Sequence, residues 1–221
     1  MTNAIRILLT TAVIMLLGGC ATSRSVVAVN TAPSYEAATS ESGTAVRLTT
    51  TDARVFELKP ATPDIPSLKN GEIENTAITS RAIARKRNTY GKALGDVLLP
   101  EGQTVAMLVE ASIASSFRTA GYRVLRSGDP GYEEALPVNA AIDQYWSWFS
   151  PGFWTITLTC RTEVTLTAPL AGFETGRKIL TESQESAGAA TENSWQQIAS
   201  KGLQEFQDNL SGTLPRQTAA N

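Results

Sequence analysis

Apolar and polar positions alternate most regularly from Thr155 to Thr167. Ile156, Leu158, Cys160, Val164 and Leu166 point one way, and Thr155, Thr157, Thr159, Arg161, Glu163, Thr165 and Thr167 the other. A period of two puts one face on a core and the other in water, which is the signature of a half-buried strand. The preceding stretch, Val138 to Phe149, also alternates and sets Val138, Ala140, Ile142, Trp146 and Trp148 on one face. Ser150-Pro151-Gly152 joins the two as a hairpin, and a weaker strand over Arg177 to Ser186 completes a meander. Elsewhere the period is helical. Val105, Leu108, Val109, Ile113 and Phe117 mark a helix that starts at Gln103 or Thr104 and is closed by Gly121, with a short strand Tyr122 to Leu125 behind it. Trp195, Ile198, Ala199, Leu203, Phe206 and Leu210 mark a second helix over Glu192 to Leu210, capped by Thr191 or Asn193.

Ala45 to Leu58 is a further strand candidate, after which Pro60, Pro63 and Pro66 interrupt regular structure. Ile73 to Leu99 has no decisive period. Its basic run, Arg81, Arg85, Lys86 and Arg87, reads as a solvated helix face, and Asn88 to Gly91 as a turn. The order β-α-β-β-β-β-α is best satisfied by an α+β two-layer sandwich, a mixed or antiparallel sheet with two helices packed on one face. The expected organisation is a single domain over residues 44–212 followed by a disordered tail at 213–221.

The N-terminus changes the picture. Ile7 to Leu17 is almost wholly apolar and Arg6 is the only charge in the first twenty residues. The run is shorter than the roughly 20 residues that span a bilayer and reads as a signal peptide over residues 1–19. Leu17-Gly18-Gly19-Cys20 is similar to the lipobox of bacterial lipoproteins. That resemblance implies cleavage before Cys20 and acylation of its thiol, so the expected partner is a membrane held through acyl chains on Cys20. Ala21 stands where inner-membrane lipoproteins carry aspartate, which implies the outer membrane, facing the periplasm. The Ser, Thr and Ala-rich residues 20–43 read as a lipidated flexible tether, with a short edge strand at Val26 to Val29.

Composition then removes function classes. Without Arg6, 18 Lys and Arg face 21 Asp and Glu, a net charge near −3, which does not make a nucleic-acid surface. With Cys20 acylated, Cys160 is the remaining cysteine and reads as a buried small hydrophobe. The chain has no histidine, so the commonest general base, the usual triads and most zinc sites are missing. Carboxylate chemistry survives that filter, yet Glu133-Glu134, Glu182/Glu185 and Glu72/Glu74 are scattered without an aromatic cleft pattern. The reading is non-enzymatic, with no catalytic residue, no cofactor and no metal site.

Further landmarks resemble the YajG-like family of outer-membrane lipoproteins. They are Arg81-Ala82-Ile83-Ala84-Arg85-Lys86-Arg87-Asn88-Thr89-Tyr90-Gly91, the helix ending Thr119-Ala120-Gly121-Tyr122-Arg123-Val124, and the hairpin and closing helix that follow. The auxiliary lipoproteins of ABC-type envelope transporters have a similar size and element order. Neither resemblance implies site residues. Candidate partner-binding residues are the aromatics Trp146, Trp148, Phe153 and Trp154 around the hairpin turn, with Trp146 and Trp148 expected in the core and Trp154 partly exposed. The basic residues Arg81, Arg85, Lys86 and Arg87 are the second candidate. The leading expectation is a lipoprotein whose domain docks on another envelope component, a protein by preference. The alternatives are an accessory subunit of an envelope transport system that binds lipid or a small ligand, and a carboxylate-dependent peptidoglycan enzyme.

Overall fold

The computed structural model of the chain describes residues 24–30, 43–88 and 90–217. Cys20, the signal segment, much of the tether and the last four residues lie outside the described residues. The strands are β1 (Ser25–Val26), β2 (Ala45–Asp52), β3 (Ala82–Arg87), β4 (Ala93–Leu98), β5 (Arg123–Leu125), β6 (Leu136–Pro151), β7 (Ile156–Thr167) and β8 (Arg177–Ala187). The α-helices are α1 (Thr76–Thr79), α2 (Val105–Thr119) and α3 (Glu192–Thr213), with a 3-10 turn over Lys69–Glu74.

All eight strands share one mixed sheet that is not closed into a barrel. β6 is its spine. One edge of β6 pairs antiparallel with β7 over nearly its whole length, and β7 pairs antiparallel with β8. The other edge is divided: β2 runs parallel to the first half of β6, and β3 meets the second half at Ser147. β4 pairs antiparallel with β3, and β1 runs parallel to β4.

The main core lies between the sheet and helices α2 and α3, which cover the same face. Val109, Ile113 and Phe117 from α2 and Trp195, Ile198, Leu203 and Phe206 from α3 meet Ile142, Tyr145, Leu158 and Val164. The expected caps form: Thr104 Oγ1 accepts from the Met107 amide at 3.2 Å, and Thr191 Oγ1 from the Ser194 amide at 3.2 Å. Gly121 sits at φ +91°, the left-handed turn that glycine adopts without a Cβ penalty. Gly202 has a different task, because a Cβ there would stand 2.5 Å from Cys160 Sγ; its absence lets α3 settle onto β7. The α+β two-layer fold is thus as the pattern predicts.

Four expectations need correction. Ile73 to Leu99 holds the paired strands β3 and β4, so the basic run lies in a strand and not on a helix face. Its alkyl stems run along packed neighbours, with Lys86 buried and Arg85 and Arg87 half-buried, which hides a strand behind a polar sequence. The second correction concerns β6. A bulge between Ile142 and Gln144 adds one residue, and one residue reverses the face of everything after it. Val138, Ala140 and Ile142 face the helices, as does Tyr145, but Trp146 and Trp148 turn to the opposite face. There they form a second small core with Leu68, Ala82 and Leu98 under the proline-rich segment, and Trp146 Nε1 donates to the Pro63 carbonyl at 3.2 Å. Third, residues 24–30 are not free tether: Val27 and Val29 are buried in the main core. Fourth, residues 214–217 extend the packed domain into the expected tail, with Leu214 buried and the Gln217 amide donating to Ala120 O.

Candidate functional site

β1 is parallel to β4, so it runs away from the end where the Asn88–Lys92 turn joins β3 to β4, and its first residue, Ser25, stands beside Val97 near the far end of β4. β3 is parallel to β6, so that turn lies at the same end as the β6–β7 tip. The tip closes tightly, with the Gly152 amide donating to Thr155 O at 2.9 Å, and leaves Phe153 and Trp154 outside the paired strands. These two are 89% and 87% exposed and pack edge-on, ring centroids 4.7 Å apart. In the neighbouring turn, the Asn88 side chain accepts from the Tyr90 and Lys92 amides and Tyr90 is 93% exposed. One end of the sheet therefore gathers three exposed aromatics, and β1 runs away from that end.

The candidate residues divide by location. Trp146 and Trp148 are buried; Arg161 lies over the Trp148 ring at 5.2 Å and pairs with Asp64 and Glu182. A Thr62 hydrogen bond, then the Arg161 charge, holds the Asp64 carboxyl below its ordinary range. These tryptophans are structural, while Phe153 and Trp154 are available at the surface.

The basic residues divide as well. Arg81 is consumed by the Leu99 carbonyl, to which Nε and Nη2 donate. Lys86 Nζ donates to Ser25 Oγ at 3.0 Å and so ties β3 to β1. Arg87 donates to Gly91 O and Ser67 Oγ, and has no carboxylate partner among the described residues. Burial, then the neighbouring Arg85 charge, pulls the Arg87 guanidinium down. Burial likewise pushes the Asp96 carboxyl up, although the Lys69 amide and Arg24 bond to it. Arg24 also pairs with Glu72, so the chain is fixed to the domain four residues after Cys20.

Between β3, the base of the hairpin and the start of α3 lies a half-open cavity of about 470 Å³. Leu94, Phe149, Ile156, Ala190 and Trp195 supply its apolar wall, and Ser25, Lys86 and Arg87 its polar margin. The basic run signalled its margin in the sequence, but no local pattern joined β3 to residues 149, 156 and 195. A second hollow of about 340 Å³ is lined by Asp52, Arg54, Phe56, Ile73 and Glu74.

The acidic pairs do not converge. Glu133 is engaged by Arg47, Glu182 by Arg161 and Glu72 by Arg24. Asp52, in the second hollow, is held by both Nε and Nη2 of Arg54. Among the described residues no group of three metal-ligating side chains occurs, and no helix is long and apolar enough to cross a membrane. Cys160 is fully buried, and burial pushes its thiol up to about 11.

No family model matches the chain, and no curated protein matches it. Among solved structures it is similar to protein XCC0632 from Xanthomonas campestris, of the family DUF330, at 14% identity and a TM-score of 0.42, covering 88% of this chain and 95% of that one. It is also similar to an uncharacterised protein at 7% identity and a TM-score of 0.41, covering 87% and 97% of the two chains. A putative lipoprotein from Caulobacter crescentus matches at 12% identity and a TM-score of 0.29, covering 49% of this chain and 81% of that one.

Proposed function

We propose that this chain is a non-enzymatic, YajG-like lipoprotein, acylated at Cys20 in the periplasmic leaflet of the outer membrane, whose domain docks on another envelope component through its hairpin end. The observation that carries this reading is the gathering of Tyr90, Phe153 and Trp154 at one end of the sheet, the end from which β1 runs. Arg24 is four residue steps from Cys20, a reach of about 14 Å at most. An acyl anchor on Cys20 keeps the domain beside the bilayer, and exposed aromatics suit a wet, half-apolar boundary. Several acyl chains on Cys20 give stable attachment where one alone binds only marginally, since each buried methylene contributes about 0.8 kcal/mol.

Two measurements test the reading in Gram-negative cells fed a labelled fatty acid. Cys20→Ser should abolish label incorporation and leave unprocessed precursor; normal processing to a soluble mature domain would refute it. A photo-crosslinker at position 154 should then give adducts with an envelope component that the same group at exposed Met107 does not give. Equal adducts from both positions would remove the docking end.

A second reading, an accessory subunit of an envelope transport system, is favoured by one observation. The 470 Å³ cavity has the size and mostly apolar wall of a ligand pocket.

A further inference from the structure

We propose that the cavity between β3, the hairpin base and α3 binds one acyl chain of an amphiphile with an anionic headgroup, its headgroup held at Arg87. The inference rests on the second reading just given, with a lipid as the ligand, and does not depend on acylation of Cys20.

Three features converge on that chemistry. The first is shape. A methylene is similar in size to a water molecule, which occupies roughly 30 Å³ in the liquid. The cavity of about 470 Å³ thus accommodates a single chain on the order of 15 carbons. Leu94, Phe149, Ile156 and Ala190 offer that chain no polar partner along its length.

The second feature is charge. Arg87 stands at the margin with its Nη atoms bonded only to neutral oxygens and its Nε without a partner among the described residues. A half-buried guanidinium with no counter-charge favours an anion, and its fork suits carboxylate or phosphate oxygens. Glu192 is the only carboxylate in the lining, and it is exposed at the start of α3. The third feature is an orphaned donor. Trp195 lines the cavity, is 1% exposed, and its indole N–H meets no acceptor among the described residues. Location agrees with these: Phe149 and Ile156 flank the tip that carries Phe153 and Trp154, so the cavity sits beside the exposed aromatics through which an amphiphile would arrive.

The test is photo-labelling of the full chain in washed membranes with a palmitic acid that carries a diazirine near its methyl end. Mapped to single residues, the label should fall on Leu94, Phe149, Ile156 or Ala190, and unlabelled palmitate should compete. Ala190→Trp should abolish that labelling, with Leu94→Trp as a second blocking variant should the first misfold. Arg87→Gln should weaken labelling by the acid about tenfold, as expected for losing one charge-assisted contact, and leave labelling by its methyl ester unchanged. A diazirine phosphatidylglycerol in the same membranes identifies the source. Labelling by it marks a bilayer lipid, and labelling by the acid alone marks a free amphiphile. Labelling confined to Phe153 and Trp154, or undiminished in both blocking variants, would overturn the proposal. Cys20→Ser should label normally, so failure of the anchor and failure of the cavity are read separately.

Discussion

Arg54 is the residue whose removal should cost this fold most for a single charged side chain. It stands where the divided edge of β6 passes from β2 to β3, a gap in which backbone carbonyls would otherwise lack partners. Its guanidinium fills the gap. Nε and Nη2 donate to Asp52 at 2.8 and 2.7 Å, Nη1 to Ala82 O at 2.6 Å and Tyr145 O at 3.1 Å, and Nη2 also to Thr79 O at 2.8 Å. All five N–H donors are used, and the side chain is 0% exposed. Arg54→Met strands three carbonyls, each at about 1–3 kcal/mol if kept dry, and leaves Asp52 without its counter-ion. Asp52 remains 22% exposed, which tempers the total. The expected loss is about 3–5 kcal/mol, the range for breaking one side of a buried pair. In thermal unfolding this is a fall of roughly 6–20 °C, at about 2–4 °C per kcal/mol for a domain of this size. Arg54→Lys should recover less than half, because an ammonium cannot reach four acceptors in the fixed planes of a guanidinium. Adding Asp52→Asn to Arg54→Met should be milder than Arg54→Met alone, since no unpaired charge remains. An Arg54→Met variant within about 1 kcal/mol of the parent would show that water satisfies the gap, and the reasoning would fail.

The remaining predictions use the same unfolding measurement. Gly202→Ala should destabilise by about 1–3 kcal/mol despite better helix propensity, because its Cβ meets Cys160 Sγ, and Cys160→Ala in the same chain should restore part of the loss, since the Cys160 Cβ that alanine keeps still lies 3.1 Å away; additivity of the two changes would refute the contact. Cys160 keeps its proton to about pH 11 in the fold, against 9.0 for the ordinary thiol. The unfolded chain therefore loses that proton first, so stability should fall as pH rises from 9 to 11, with a smaller fall in Cys160→Ala; equal slopes would count against burial of the thiol. Phe153→Ala and Trp154→Ala should leave the melting temperature nearly unchanged, whereas Trp146→Ala should cost about 3–5 kcal/mol. Comparable losses at the tip and at Trp146 would remove the distinction between docking and packing residues.

What the sequence determined by itself is what short-range periodicity can carry. Helices α2 and α3, their threonine caps, the long hairpin and the α+β class follow from spacing within a dozen or so residues, where each element's own amphipathic face is visible. The exposure of Trp154 was legible too, although the turn falls later than the Ser150-Pro151-Gly152 expected, since Ser150 and Pro151 still pair with β7. Tertiary structure decided the rest. β3 reads as polar because its charged side chains are buried along the stem, a cost only neighbouring strands can offset. The bulge after Ile142 sent Trp146 and Trp148 to the second core, and a single inserted residue leaves no mark in an alternating pattern until its partner strand is known. Arg54 gained its role, and the cavity its walls, from segments far apart in the chain: residues 52, 54, 79, 82 and 145 in one case, 25, 87, 94, 149, 156 and 195 in the other. Periodicity records which face of an element is apolar. Which elements those faces meet depends on contacts between distant residues, and those exist only once the chain has folded.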